Sequence, residues 1–267
     1  MNHRNTFCCL LAFLWQIPFV FSQEKNSLIR IEYKLKYLYD TTSSIFHEEP
    51  AELFIDDDQS YFVSTQRSTS DSIKYLNLNK EKHIPGRTKA LRVQKKLEDR
   101  NTVYYENFYP DVFLKTDEPM SDMVWEIQGD TATLFGYLCQ KATLKYRGRE
   151  WTAWFALDLP ISDGPYKFGG LPGLIVRMND SRNHWFIDFQ SLTHLPDRKL
   201  NIAFLNTATL LSAAELREQL IDFKENSFER LEAAGILSVR PEDRAYMIKS
   251  GRENHNKNNN EIELKIN

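Results

Sequence analysis

From Ile29 to Tyr37 the chain alternates without a break. Ile29, Ile31, Tyr33, Leu35 and Tyr37 share one parity, and Arg30, Glu32, Lys34 and Lys36 share the other. Successive strand side chains point to opposite faces, so this segment reads as a strand with one buried and one wet face, the mark of an antiparallel sheet. The reading repeats down the chain. AELFIDDDQSYFVS is two strands joined at Asp56, Asp57 and Asp58, a solvated turn lacking the spaced ligands of a calcium loop. TVYYENFY, DVFLKT and the long run from Asp122 to Ile161 continue the sheet, turning at Gly129-Asp130 and at Arg147-Gly148-Arg149. One face is expected to carry Leu138, Ala142, Leu144 and Tyr146, and the returning strand Trp151, Ala153, Phe155 and Leu157. HWFIDFQSL adds a strand with Trp185, Ile187 and Phe189 inward, and NIAFLN suggests another.

A single long helix follows. Ser212 is placed to cap it, with Glu215 three residues on to close a capping box. Leu216, Leu220, Phe223, Phe228 and Leu231 form an apolar stripe, and Gly235 ends it. The expected fold is therefore mainly β (α+β). It is a large curled antiparallel meander of roughly eight to eleven strands, a size at which twisted sheets curl. The late helix packs on it, in the manner of a lipoprotein-carrier half-barrel. Residues 66–101 read as a polar surface excursion, helical near Ser70 to Asn79.

The N-terminus reads as a signal peptide over 1–22: basic His3 and Arg4, an apolar run from Phe7 to Phe21, and Ser22 before Gln23. Its removal leaves one β-rich domain over 23–250 and an asparagine-rich tail over 251–267, expected to be disordered. With Arg4 gone, the 34 basic residues become 33 against 37 acidic ones, a balance of −4 that excludes a nucleic-acid footprint. Of the three cysteines only Cys139 lies beyond the signal segment, so no internal disulfide is expected.

The stretch GPYKFGGLPGLIVRMND, residues 164–180, is the densest in turn-forming residues. Gly164, Pro165, Gly169 and Gly170 bracket YKF, and Leu171-Pro172-Gly173-Leu174 fits a type II turn with Gly173 at positive φ. A strand follows, with Leu174, Val176 and Met178 on one face. A phosphate cradle instead leads into a helix, so these residues read as a structural motif launching a hairpin.

Gly170-Leu171-Pro172-Gly173-Leu174-Ile175, preceded by GYLCQKATLKYRGREWTAWFALDLPISDGPYKF, resembles the signature of the GLPGLI family of Bacteroidetes proteins. The resemblance implies an exported protein of a Gram-negative bacterium, in the periplasm or outside the cell. It carries no established activity. It implies only loosely a link to TonB-dependent outer-membrane components.

No Gly-x-Ser-x-Gly, His-Glu-x-x-His or Cys-x-x-Cys occurs, and no cofactor or metal is expected. His184 with Asp188, and Asp158 with Asp163, are the nearest to a metal pair and an acid–base pair. Arg147, Arg149, Trp154, Asp163, Lys167 and Phe168 are the candidate ligand- or partner-binding residues, because exposed arginine and tryptophan together mark binding surfaces. The leading expectation is a non-catalytic binding protein for an apolar, lipid-like ligand, held in a pocket of Leu, Ile and Phe between sheet and helix. The alternatives are an accessory module docking an outer-membrane protein through a patch around Trp154 and Phe168, and a hydrolase gathering Asp, His or Cys139.

Overall fold

The computed structural model describes residues 27–64, 91–109, 112–120, 123–235 and 237–264. The signal segment and the helix expected near Ser70 to Asn79 lie outside these residues. Twelve strands form one sheet: β1 (Ser27–Leu38), β2 (Phe46–Ile55), β3 (Gln59–Ser64), β4 (Arg92–Lys96), β5 (Asn101–Tyr109), β6 (Val112–Pro119), β7 (Glu126–Leu134), β8 (Tyr137–Tyr146), β9 (Arg149–Ala156), β10 (Leu174–Asp180), β11 (Trp185–Pro196) and β12 (Thr209–Leu210). Their order is β12-β6-β5-β4-β3-β2-β1-β11-β10-β9-β8-β7. Two antiparallel meanders, β1 to β6 and β7 to β11, thus meet where β11 pairs with β1, and only β12 runs parallel to its neighbour, β6.

The sheet is strongly curled but not closed. Nine steps separate β6 from β8 in the strand order, about 43 Å on a flat sheet. Yet Tyr146 Oη on β8 lies 3.4 Å from Glu118 Oε2 on β6. The inside of the curl is filled by the connection between β9 and β10. Its Tyr166, Phe168 and Leu171 join one core with Ile31, Tyr33 and Leu35 of β1, Phe62 of β3, Val93 of β4 and Trp151 of β9. A second core lies on the other face of β3 to β6, where Tyr61, Val63, Val103, Tyr105 and Phe113 are covered by Leu205 and Ala208. Here NIAFLN is not a strand but leads into a 3-10 turn, Ala203–Thr207.

β1 buries the parity read from sequence, with Ile31, Tyr33, Leu35 and Tyr37 inside. β8 departs from it. Leu138 is 47% exposed and Cys139 takes the inner position, beside a bulge in which β7 runs from Ile127 to Thr131 while β8 runs only from Ala142 to Gln140. Part of the expected surface excursion is also corrected: Leu91, Val93 and Lys95 face the core from β4.

Two helices, not one, follow the sheet: α1 (Ala213–Ala233) and α2 (Pro241–Asn256). The capping box forms as expected, Glu215 N donating to Ser212 Oγ and Ser212 N to Glu215 Oε2. The stripe is only partly used. Asn226 breaks the helical backbone at φ −121° and ψ 22°, and of α1 only Leu216 and Phe228 are buried. The tail is likewise corrected: α2 occupies its first residues, and beyond it Asn260 and Ile262 are buried.

Candidate functional site

The β9–β10 connection is built by backbone constraint. Asp163 and Gly169 pair as an isolated bridge, and Phe168 N donates to Pro165 O at 3.1 Å, so the intervening residues form a tight loop. The expected type II turn is corrected. The positive φ belongs to Gly170, at +88°, not to Gly173. Gly173 is required for another reason: a Cβ there would stand 2.1 Å from the carbonyl oxygen of Ala156.

The loop wraps a buried ammonium. Lys95 Nζ, on a fully buried side chain, donates to Asp163 Oδ1, to Gly164 O at 2.6 Å and to Phe168 O at 3.1 Å. Burial pushes the Lys95 pKa down, and the Asp163 carboxylate opposes that shift. Gly164 N donates to the same carboxylate at 2.7 Å, and Trp125 Nε1 closes the loop on Gly169 O at 2.9 Å. Lys95 was hidden in a basic run. The signal that locates it is the period-two set Leu91, Val93, Lys95, which puts the lysine on the apolar face of a strand.

A second ionic group joins the loop to β6 and to the segment after α2. Lys167 Nζ lies 3.0 Å from Glu118 Oε2 and 2.7 Å from Glu263 Oε1, above the Tyr104 and Tyr166 rings. Tyr166 Oη donates to Glu263 at 2.9 Å. Burial, then the Glu263 charge, raises the Tyr166 pKa well above its usual value. Burial and Glu106 do the same to Tyr104.

Arg149 holds the other end of that segment. Its Nη1 meets Asp180 Oδ2 at 2.7 Å, its Nε donates to Ile262 O at 3.1 Å, and its Nη2 donates to Asn260 Oδ1 and Glu261 O. Burial lowers the Arg149 pKa, against the pull of Asp180.

The six candidate residues therefore separate. Arg149, Asp163, Lys167 and Phe168 are buried, so the expected exposed patch around Trp154 and Phe168 does not form. Phe168, 1% exposed, packs edge-on to Trp151 at 5.0 Å. Arg147 is half-buried, its Nη2 3.4 Å from Glu118 and its guanidinium over the Tyr146 ring. Trp154 is half-buried on β9, opposite Lys141 and Arg177.

The other pairings dissolve. Asp188 is taken by Arg177 at 2.7 Å, Asp158 is exposed while Asp163 is buried, and no group of three metal-ligating side chains exists among the described residues. Cys139 is buried, and burial raises its thiol pKa.

A cavity of about 480 Å³ opens beside the Lys167 group, between β5, β6, α1 and the segment after α2. Leu216, Leu220, Ile221 and Phe223 form an apolar wall, while Glu118, Lys167 and Glu263 form a charged end. His255 also lines it, its Nε2 3.2 Å from Ser227 Oγ, and burial and Lys224 lower its pKa.

Residues 146–177 match the model of a family described as a protein of unknown function (Porph_ging). No curated protein matches the chain in sequence. Among solved structures, PNGF-II in its P21 and C2 crystal forms gives TM-scores of 0.55 and 0.54 at 13% identity. The alignments cover 74% of this chain and 34% of theirs, so the chain spans about a third of the PNGF-II length. What is shared at that identity is the fold. The family match falls on the end of β8, β9, the Lys95 loop and the start of β10, the stretch that fills the curl.

Proposed function

We propose that the chain is a GLPGLI-type protein, exported to the periplasm or the cell exterior, that binds a lipid-like molecule without chemically changing it. The observation that carries this reading is the cavity of about 480 Å³, within the size range of small-molecule sites. Its apolar wall suits an aliphatic body, and its mixed-charge end, where Lys167 already pairs with Glu118 and Glu263, suits a zwitterionic or neutral polar head. The inside of the curl is packed by the β9–β10 loop, so the ligand seat lies to one side, under α1. The burial of Phe168, beside a half-buried Trp154, favours this reading over the accessory-module alternative.

Titration with a fluorescent lysophosphatidylcholine analogue, whose head is zwitterionic, tests the reading. The chain should bind it saturably, and Leu220→Glu, which places a charge in the apolar wall, should weaken binding at least about tenfold. Equal binding by both proteins would remove the cavity as the seat.

A further inference from the structure

The residues singled out as candidate binders do hold a peptide, and the peptide is the chain's own segment 259–264. Asn260 is fully buried. Its Nδ2 donates to Leu38 O at 2.6 Å, its N to Tyr39 O at 3.3 Å, and its Oδ1 accepts from Arg149. Ile262, 6% exposed, enters the main core. Glu263 meets Lys167 and Tyr166, and Leu264 N donates to Arg147 O at 2.9 Å. Thr41 N and Oγ1 donate to Asn259 Oδ1 at 2.9 and 3.0 Å. Asn260 and Ile262 point inward with Glu261 between them turned outward, main-chain groups are read by fixed partners, and the buried Glu263 carboxylate faces Lys167 of the groove. That is the physics of recognition of an extended peptide.

What precedes the segment is weakly attached. α2 buries none of its described side chains. Its links to α1 include exposed ion pairs such as Arg244–Glu232 and Arg252–Glu229, a class worth little each.

We propose that the groove between Leu38–Thr41, Arg149 and Tyr166–Lys167 is a peptide-docking site. The chain fills it in cis with a releasable strap, residues 259–264, and its ligand class is an extended peptide carrying Asn-acidic-apolar-acidic. The strap is also a wall of the cavity, so its release opens that cavity, but the docking site stands independently of what the cavity holds.

The test uses the full chain. A labelled peptide of residues 257–264, KNNNEIEL, is titrated by fluorescence anisotropy into the unmodified protein and into Asn260→Ala/Ile262→Asp, whose own strap no longer competes. The variant should bind at least about tenfold more tightly, because the docking-competent state is a minor one while the cis strap is in place. Adding Lys167→Met to the variant should weaken it again. A variant with native circular dichroism that binds no peptide overturns the proposal.

Hydrogen exchange on the unmodified chain decides the matter if the variant does not fold. The amides of Asn260 and Leu264 should exchange ahead of Ile175 in the core. Exchange of all three only on global unfolding overturns the proposal. Peptide binding without uptake of the lysophosphatidylcholine analogue would keep the docking site and discard the cavity reading.

Discussion

Gly170 and Gly173 sit three residues apart in one turn-rich stretch and do different work. Gly170 supplies a left-handed backbone in open space, whereas Gly173 lets the chain pass against the Ala156 carbonyl. Gly170→Ala should cost about 1–2 kcal/mol, the strain of a left-handed L-residue. Gly173→Ala should cost about 3 kcal/mol or more, since backbone must move. Urea unfolding of both variants checks the order. The sequence showed that glycine was needed here but not which need each one met, because a close approach across strands leaves no local signal.

Three buried tyrosines make a second prediction at this scale. Tyr33, Tyr104 and Tyr166 have pKa values raised well above the usual 10.0, burial first and neighbouring carboxylates second. A raised tyrosine stays protonated in the folded state, so its contribution is complete below 10.0 and lost as pH rises beyond it. Lys95, with its pKa lowered, acts in the opposite sense only up to its usual 10.5. These three tyrosines should therefore together lower stability by up to about 4 kcal/mol per pH unit in strong alkali, and Tyr37, Tyr105 and Tyr146, also raised chiefly by burial, add to the fall. Urea midpoints compared between neutral pH and about pH 11 measure it.

At the scale of elements, strands with one wet face were the legible part. β1 and β11 present the expected residues because alternation is a local property, and β9 does so for Trp151, Ala153 and Phe155 but ends at Ala156, leaving Leu157 41% exposed. β4 was obscured because its inward lysine broke the apolar pattern, and α2 and the strap because charged and asparagine-rich segments read as solvated. Asn260 and Glu263 are recognisable only beside Arg149 and Lys167, more than ninety residues away in sequence. α1 was legible at its start, where the capping box is a short-range device. Removing it with Ser212→Ala should cost about 1 kcal/mol. Hydrogen exchange should show the loss in α1 and leave β1 unchanged, as expected of a locally stable arm on a more stable sheet.

For the whole molecule, the long meander and its curl followed from strand count and patterning. The filling of the curl did not. A half-barrel with an open lumen and one packed by its own loop share the same alternation. The difference lies in Tyr166, Phe168 and Leu171, which the glycine-rich loop folds inward. The candidate site was legible as a set of residue types but not as an arrangement. Its arginine and lysine grip the chain's own strap, and the cavity stands beside them under a helix.

Whether the cavity holds a small molecule is read out by native mass spectrometry of the full chain purified under non-denaturing conditions from the cells that produce it. A small molecule should accompany the unmodified chain and be lost from Leu220→Glu. A bare polypeptide mass in both cases would contradict the cavity reading.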